Sequence, residues 1–284
     1  MEVKDYRKDI RTVSGPVIGS AEWSQMIEGE KRVNVFEVGA NRGDQLFWLL
    51  QKGGSFYNPE TAEMENRTGG CKFHIENENV HYYAFEPTPT VCDEIEKKFK
   101  DKYPERYHLF RGAVSDVEGK ASFNITARPG TSSLNKFSND TRAWQDRAFD
   151  GSLDVIDTVE VDVVRLDTIV RKNNIEKIHY LHIDAQGTDL KVLQSLGDCL
   201  SMVEEGCLEV PKHDSLKLYE DHHGLHETLD FLHSNDFEIY YLDPDGENEY
   251  DLYFIKNGRP LYCDLSGIPP PSVFSMQTAR AALR

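Results

Sequence analysis

The sequence predicts an α/β fold in which a doubly wound, mostly parallel sheet ends in an antiparallel C-terminal hairpin. Short β-branched runs alternate with helical patterns, as where VNVFEV (33–38) precedes DQLFWLLQK and VHYYAF (80–85) precedes PTVCDEIEKKFK. Strands that alternate with helices form parallel sheets through right-handed crossovers. Near the carboxyl terminus, FEIYYL and YDLYFIK flank the turn residues DPDGENE, which indicates a hairpin and an antiparallel edge.

The remaining elements follow from the same patterns. YHLFRGAV (107–114) is predicted as a strand, and KIHYLHID (177–184) as a strand before the helical TDLKVLQSL. MVEEGCLEV (202–210) is predicted as the next strand, and a helix over about 222–234 precedes the hairpin.

Two long stretches interrupt this alternation. Residues 52–79 are rich in Gly, Asn and Glu and are longer than a crossover needs, so we expect an insertion. Residues 128–152 are polar with isolated aromatic residues, and we expect them to form a lid. These limits predict a domain over 30–258, with an N-terminal extension over 1–29 and a C-terminal tail over 259–284.

Composition narrows the classes of function. The chain has 284 residues and a formal net charge of −17, which repels phosphate backbones, so we expect no nucleic-acid partner. No run approaches the ~18 apolar residues that span a bilayer, and MEVKDYRKDI lacks the hydrophobic core of a signal peptide. The five cysteines include no CxxC pair. We therefore expect a reduced, cytoplasmic protein without a membrane span.

The predicted strand ends carry the candidate ligand-binding residues, because ligands of open parallel sheets bind beyond the carboxyl ends of the strands. The first end, EVGANRG, contains Glu37, Gly39 and Gly43, and its glycine spacing departs from the GxGxxG dinucleotide fingerprint. The second end, AFEP, places Glu86 where a carboxylate accepts both hydroxyls of a ribose. The alternative is that Glu86 is merely an acid at the N-terminus of a helix, where the helix dipole favours a negative charge.

Two further strand ends are polar. The third is GAVSD, and the fourth is HIDAQGTDL, in which Asp184 closes an apolar strand. Gly187 permits a tight exit from this strand, and Thr188 or Asp189 can cap the next helix. Four polar strand ends together indicate a ligand site at this edge of the sheet.

These motifs together resemble the FkbM-type S-adenosyl-L-methionine-dependent methyltransferases, over about residues 30–257. The matching segments, in the order of the family, are VFEVGANRGD, YAFEPTPTVCDEI, LFRGAVSDVEGKASF, GTSSLN, VDVVRLDTIV, LHIDAQGTDLKVLQSL and CLEV. The resemblance implies a Rossmann-like, class I methyltransferase fold and S-adenosyl-L-methionine as cofactor.

The resemblance also implies roles for individual residues. Gly39, Asn41 and Gly43 would form the turn under the methionine moiety, and Glu37 would hold its amino end directly or through water. Glu86 would bind the ribose, and Ala113, Val114 and Asp116 would border the adenine. Asp184 would face both the methionine end and the substrate. Three residues depart from the usual family pattern. This chain has Glu37 where Asp is commoner, His182 where Lys is frequent, and Asp189 where many members have Glu.

Methyl transfer to a hydroxyl requires alignment of donor and acceptor and removal of the hydroxyl proton. His213, in LEVPKHD, is the preferred candidate for the base, with His182 and Asp184 as the other catalytic candidates. Asp184 and Glu209 form an alternative, a Mg²⁺ site that lowers the hydroxyl pKa. His222 and His226 have metal-binding spacing, but an ordinary helix start is the favoured interpretation of DHHGLH.

The first hypothesis is an O-methyltransferase that acts on a hydroxyl of a sugar, a glycan or a polyketide-like small molecule. Phe137, Trp144 and Phe149 of the expected lid would form an apolar wall for this acceptor. The second hypothesis is a catalytically inactive binding or scaffold protein with the same fold. An NAD-dependent enzyme is a third, which the missing glycine disfavours. The oligomeric state is open, with a homodimer as one alternative.

Overall fold

The computed structural model describes residues 29–42, 56–58, 63–65, 79–101, 103–138, 153–215, 218–245 and 248–258. The strands are β1 Val33–Val38, β2 Phe56–Asn58, β3 Glu63–Glu65, β4 Val80–Phe85, β5 Tyr107–Phe110, β6 Gly112–Val114, β7 Gly119–Thr126, β8 Val155–Val164, β9 Tyr180–Ile183, β10 Glu205–Pro211, β11 Phe237–Asp245 and β12 Glu249–Lys256. The α-helices are α1 Pro89–Phe99, α2 Leu166–Lys172, α3 Asp189–Gln194 and α4 Leu225–Ser234. Short 3-10 turns span Pro129–Thr131 and Gly197–Met202.

Seven of these strands form the central sheet, in the order β11-β12-β10-β9-β1-β4-β5. The pairs among β10, β9, β1, β4 and β5 are parallel, whereas β12 is antiparallel to both of its neighbours. The predicted fold class and its C-terminal hairpin are therefore confirmed. The antiparallel strand β12 lies inside the sheet, however, and β11 forms the edge.

Helices cover both faces of the sheet, as the alternation of apolar side chains along its strands requires. On one face, Phe36 and Leu181 belong to an apolar cluster with residues of α2, α3 and α4. On the other face, Val35 and Tyr82 pack with the apolar side of α1, which includes Ile95. Every residue of β1 is buried, as expected for the centre of a doubly wound sheet. No helix in the described part of the chain combines the length and apolar character needed to span a membrane.

The strand registers bring the predicted strand ends to one level. Val38 of β1 pairs with Phe85 of β4 on one side and with Ile183 of β9 on the other. The residues that follow these three, Gly39, Glu86 and Asp184, therefore emerge at the same edge of the sheet. Leu208 pairs with Ile183, which adds Glu209 to this edge.

The predicted strand over 107–114 is two strands in two sheets. β5 belongs to the central sheet, whereas β6 pairs in parallel with β8, which pairs antiparallel with β7 in a three-stranded sheet. Gly112 permits the change, because an added Cβ there would lie 2.4 Å from the carbonyl oxygen of Asp162 and 2.7 Å from the Phe110 ring. The chain thus passes closely between the two sheets at a residue without a side chain.

Several predicted segments lie wholly or partly outside the described residues. The helix predicted over DQLFWLLQK is one of them, as are the C-terminal tail and all but one residue of the N-terminal extension. Within the insertion over 52–79, the antiparallel pair of β2 and β3 is described. Residues 128–138 are the described part of the expected lid. The helix predicted over about 222–234 is confirmed as α4, while the sequence patterns did not predict α2.

Gly39→Ala is expected to lower the free energy of unfolding by more than about 3 kcal/mol. The residue has a φ of 84°, and an added Cβ would lie 1.8 Å from the carbonyl oxygen of Asp184. Gly29 is the matched control, because it has the same φ of 84° with nothing within 4 Å of an added Cβ. Gly29→Ala should cost only about 1 kcal/mol, from the backbone conformation alone. Urea denaturation measures the free energy of unfolding of both variants. Equal losses in the two variants would show that the close approach of Gly39 to Asp184 does not limit this position.

Candidate functional site

An open cleft of about 530 Å³ lies at the carboxyl ends of β1, β4 and β9. Its described lining includes the apolar side chains of Phe85, Val114, Phe123 and Leu134. Its polar lining includes Asn41, Glu86, Ser132, Asp184, Gln186 and Thr188. The cleft therefore combines an apolar wall with two carboxylates, and the described lining contains no Lys, Arg or His.

Glu86 is held rigidly at this cleft. Glu86 is only 5% exposed. Its two carboxylate oxygens accept hydrogen bonds from the backbone N–H groups of Asn41 (2.9 Å) and Thr88 (2.7 Å). Burial raises the pKa of Glu86, the hydrogen bonds from Thr88 and Asn41 counteract this rise, and the charge of Asp184 adds to it. Asn41 has a φ of 45°, a left-handed conformation that Asn tolerates. The turn after β1 thus fixes the carboxylate that follows β4.

The residues predicted for the methionine end divide into two groups. Gly39 and Asn41 line the cleft, while Gly43 lies outside the described residues. Glu37 is not part of the described lining; it is 2% exposed and accepts a hydrogen bond from the Tyr82 hydroxyl. Because side chains alternate along a strand, Glu37 points to the face that α1 covers. Direct contact of Glu37 with a ligand in the cleft is therefore not supported.

The adenine candidates divide in the same way. Ala113 and Val114 of β6 are buried and line the cleft. Asp116 does not belong to the described lining. Its carboxylate accepts a hydrogen bond from the Ser115 hydroxyl at 3.0 Å, and its carbonyl oxygen accepts one from Arg165 at 2.5 Å. The structure thus supports β6 as a border of the cleft and assigns Asp116 to the connection behind it.

Gln186 is a residue of this site that the sequence patterns did not single out. Its amide nitrogen donates to Asp184 Oδ1 at 2.5 Å and to Glu209 Oε2 at 3.1 Å. Its amide oxygen accepts from the hydroxyl of Tyr219 at 2.6 Å. The sequence signal available was its place between Asp184 and Gly187 at a strand end, but its partners Glu209 and Tyr219 are remote in the chain.

The structure does not support the candidate metal site at Asp184 and Glu209. Asp184 and Glu209 do approach each other, but the Gln186 amide lies between them and donates to both. No group of three or more His, Cys, Asp or Glu side chains in the described ranges is arranged to hold a metal ion. His226 is engaged by Asp214, with 2.5 Å between Nδ1 and Oδ2, so it does not pair with His222 as the alternative required.

The three candidates for the base occupy different environments. His213 is exposed and is not part of the described cleft lining. His182 lies on the α1 face, with Nδ1 4.0 Å from Glu37 Oε1; burial lowers the pKa of His182, and the charge of Asp184 raises it. Asp184 lines the cleft. The geometry favours Asp184 and removes the support for His213 as the preferred base.

The described part of the expected lid is fixed against the rest of the site. Ser133 donates to the carbonyl oxygen of Gln186 at 2.6 Å, and Asn135 donates to that of Gly187 at 3.1 Å. The Phe137 ring stacks on Tyr219 with 5.1 Å between ring centroids. Residues 128–138 therefore form a wall of the site. Trp144 and Phe149, the other predicted aromatic residues, lie outside the described residues.

The sequence analysis expected Thr188 or Asp189 to cap the next helix, but Thr188, at the N-cap position of α3, makes no side-chain cap hydrogen bond. Asp189 instead closes the turn that follows β9. Its carboxylate accepts hydrogen bonds from the N–H groups of Ala185 and Gly187, both at 3.0 Å. The residue is 3% exposed, and burial raises its pKa to about 7 although these hydrogen bonds oppose the rise. The loop that carries Gln186 is thus built around a buried acid.

The strand order, with one antiparallel strand inside an otherwise parallel sheet, is that of the class I methyltransferase fold. More specifically, the chain belongs to the FkbM methyltransferase family, because the model of the Methyltransferase FkbM domain matches residues 37–239. The predicted family is therefore confirmed.

Two solved structures show weak similarity to the chain. An rRNA methylase from Streptococcus thermophilus is 10% identical with a TM-score of 0.35, and the match covers 80% of this chain and 88% of that one. A putative RNA methyltransferase from Pyrococcus horikoshii is 8% identical with a TM-score of 0.35, covering 88% and 94%. A comparison with curated protein sequences yields no match. Similarity at this level does not identify the methyl acceptor.

The free energy of unfolding of the wild type, relative to that of Asp189→Asn, is expected to fall as the pH rises from about 4 to about 7. Folding raises the pKa of Asp189 to about 7, so the folded state holds the proton more tightly than the unfolded chain. The stabilisation is complete at low pH and is lost as the pH rises through the folded pKa. The full change is at most roughly 4 kcal/mol.

Chemical denaturation of both proteins over this pH range measures the difference. Asp198→Asn is the control, because Asp198 is exposed at the start of the Gly197–Met202 turn. A difference between wild type and Asp189→Asn that does not change with pH would show that Asp189 titrates normally.

Proposed function

We propose that this methyltransferase uses S-adenosyl-L-methionine to methylate a hydroxyl group of a sugar, a glycan or a polyketide-like small molecule. The observation that carries the proposal is the rigid carboxylate of Glu86 in a cleft whose described lining has no basic side chain. Each Glu86 oxygen accepts one backbone N–H and retains acceptor capacity for one hydroxyl of a ribose.

The charge of the cleft fits the proposed cofactor. Glu86 and Asp184 make the lining acidic, which favours a ligand with sulfonium and ammonium groups and disfavours a pyrophosphate. The apolar side chains of Phe85 and Val114, at the ends of β4 and β6, fit a flat adenine ring. These residues would hold the cofactor with its ribose at Glu86 and its methionine end toward Asp184.

When bound, the cofactor would supply an electrophilic methyl group for the hydroxyl oxygen of the acceptor, and S-adenosylhomocysteine would be the leaving product. In the proposal Asp184 is the catalytic residue, because it is the one of the three candidates for the base that lines the cleft. Its carboxylate accepts the hydroxyl proton, and the Gln186 amide fixes one of its oxygens at 2.5 Å. The walls of the cleft would align the acceptor with the methyl group.

The acceptor class rests on the lining and the net charge. Ser132, Gln186 and Thr188 offer polar groups to hydroxyls, while Phe123 and Leu134 offer apolar contact. This mixture suits a sugar or a polyketide-like molecule. The net charge of −17 argues against nucleic acid as the acceptor.

Glu86→Gln is expected to weaken binding of S-adenosylhomocysteine by at least about 30-fold. Both Glu86 oxygens accept backbone N–H groups, so the amide NH₂ of a Gln would face one of these donors and displace the side chain. Isothermal titration of wild type and variant measures the change. Glu94→Gln, on the exposed side of α1, is the matched control. If wild type and Glu86→Gln bind S-adenosylhomocysteine with equal affinity, the cofactor does not bind at Glu86 in this cleft.

Asp184→Asn is expected to lower methyl transfer by about 100-fold or more, since an amide cannot accept the hydroxyl proton. The measurement is incorporation of labelled methyl groups into a panel of mono- and oligosaccharides and polyketide-like alcohols. Thermal unfolding of the variant verifies that it is folded. Loss of transfer in His213→Ala with retention in Asp184→Asn would return the role of base to His213. If the wild type binds S-adenosylhomocysteine but transfers methyl groups to none of these acceptors, the result would favour a catalytically inactive binding or scaffold protein.

A further inference from the structure

The amide nitrogen of Gln186 occupies the point where two carboxylates meet. It lies 2.5 Å from Asp184 Oδ1 and 3.1 Å from Glu209 Oε2. An amide nitrogen carries two hydrogens, so it can donate one hydrogen bond to each carboxyl group. Asp184, which lines the cleft, and Glu209 are thus joined without any positive charge.

The orientation of the amide is fixed by its other end. The Tyr219 hydroxyl lies 2.6 Å from Gln186 Oε1. Burial, with the negative charges of Glu249 and Glu209 next in effect, raises the pKa of Tyr219 well above its ordinary value, so the phenol keeps its proton and donates. The amide oxygen must therefore face Tyr219, and the nitrogen must face Asp184 and Glu209.

The backbone of Gln186 is held as firmly as its side chain. Its φ is 50°, a left-handed conformation, and its carbonyl oxygen accepts a hydrogen bond from Ser133 at 2.6 Å. Gly187 follows with a φ of 88° and packs so closely on Tyr219 that an added Cβ would lie 2.5 Å from the ring. The loop cannot relax without losing these contacts, which makes the position of the amide a property of the fold.

We propose that Gln186 is a positioning residue that joins Asp184 to Glu209 in the place of a divalent cation, so that methyl transfer needs no metal. The proposal rests on the function proposed above. The amide nitrogen lies between the two carboxyl groups, 2.5 and 3.1 Å from their oxygens, whereas an Mg²⁺ between them would require about 2.1 Å to each oxygen. The amide differs from the ion in charge, and it leaves Oδ2 of Asp184 unengaged by Gln186.

Gln186→Glu tests the proposal, because it replaces the bridging amide with a third carboxylate at the same position. We expect this variant to bind Mn²⁺ at least about tenfold more tightly than the wild type does. Loss of the free-ion EPR signal of Mn²⁺ measures binding without any acceptor. Gln194→Glu, which adds the same charge at the half-buried end of α3, is the matched control.

Transfer of labelled methyl groups provides the second readout. We expect wild-type transfer to resist EDTA, and Gln186→Glu to lose transfer in EDTA and to recover it when Mn²⁺ or Mg²⁺ is added. Recovery with metal is a result that a merely structural role for Gln186 would not produce. Failure of Gln186→Glu to bind Mn²⁺ would overturn the proposal while leaving the cofactor site at Glu86 untouched.

If Gln186→Glu does not fold, Mn²⁺ binding and EDTA resistance of the wild type still test the proposal. Mn²⁺ bound by the wild type and lost in Asp184→Asn would overturn the proposal, as would EDTA-sensitive transfer. Absence of Mn²⁺ binding together with EDTA-resistant transfer would support it. Binding of S-adenosylhomocysteine to the wild type is measured alongside, since its failure would contradict the proposed function instead.

Discussion

The close approach of Gly39 to the backbone of Asp184 is the constraint on which the rest of the site depends. An added Cβ would lie 1.8 Å from the carbonyl oxygen of Asp184, so β1 and β9 can end side by side only if this residue has no side chain. The positive φ of Gly39 then turns the chain toward β4, where the N–H groups of Gly39 and Ala40 donate to the carbonyl oxygen of Phe85 at 3.0 and 3.1 Å. The next N–H group, that of Asn41, reaches Glu86. One steric contact thus brings three strand ends to a single cleft.

The charges around the cleft are the second physical basis of the proposed function, because the proposed cofactor is cationic. Glu86, Asp184, Asp189 and Glu209 lie at or beneath this edge of the sheet, and the described lining holds no basic side chain. Each acid is instead stabilised by neutral donors, such as the backbone N–H groups at Glu86 and Asp189 and the Gln186 amide at Glu209. Neutral donors reduce the energy of a buried charge without cancelling it. The cationic cofactor of the proposed function would reduce that energy further, so the charge that makes the cleft costly to fold would also contribute to binding.

The sequence predicts the parts of this arrangement that depend on local pattern. The strands, and the positions of Gly39, Glu86 and Asp184 at their ends, follow from apolar runs that stop at turn residues and acids. The direction of Glu37 does not follow, because the face to which a strand residue points depends on its packing. The exposed position of His213 depends on the path of the chain after β10. The proposed role of Gln186 depends on its hydrogen bond with Tyr219, which is 33 positions away in the sequence, and no local pattern encodes that contact.

The same distinction separates the two halves of the cleft. In the proposed function, the half that holds the cofactor consists of residues within a few positions of the ends of β1, β4 and β6, so it is fixed by the sheet. The half that faces the acceptor is joined by long-range contacts, in which Ser133 and Asn135 bind the loop of Gln186 and Phe137 stacks on Tyr219. Substitutions in residues 130–138 can therefore reshape the acceptor side without moving the turn at Gly39. A family with this architecture can retain one cofactor site while changing its acceptors, because the two halves are held by different parts of the fold.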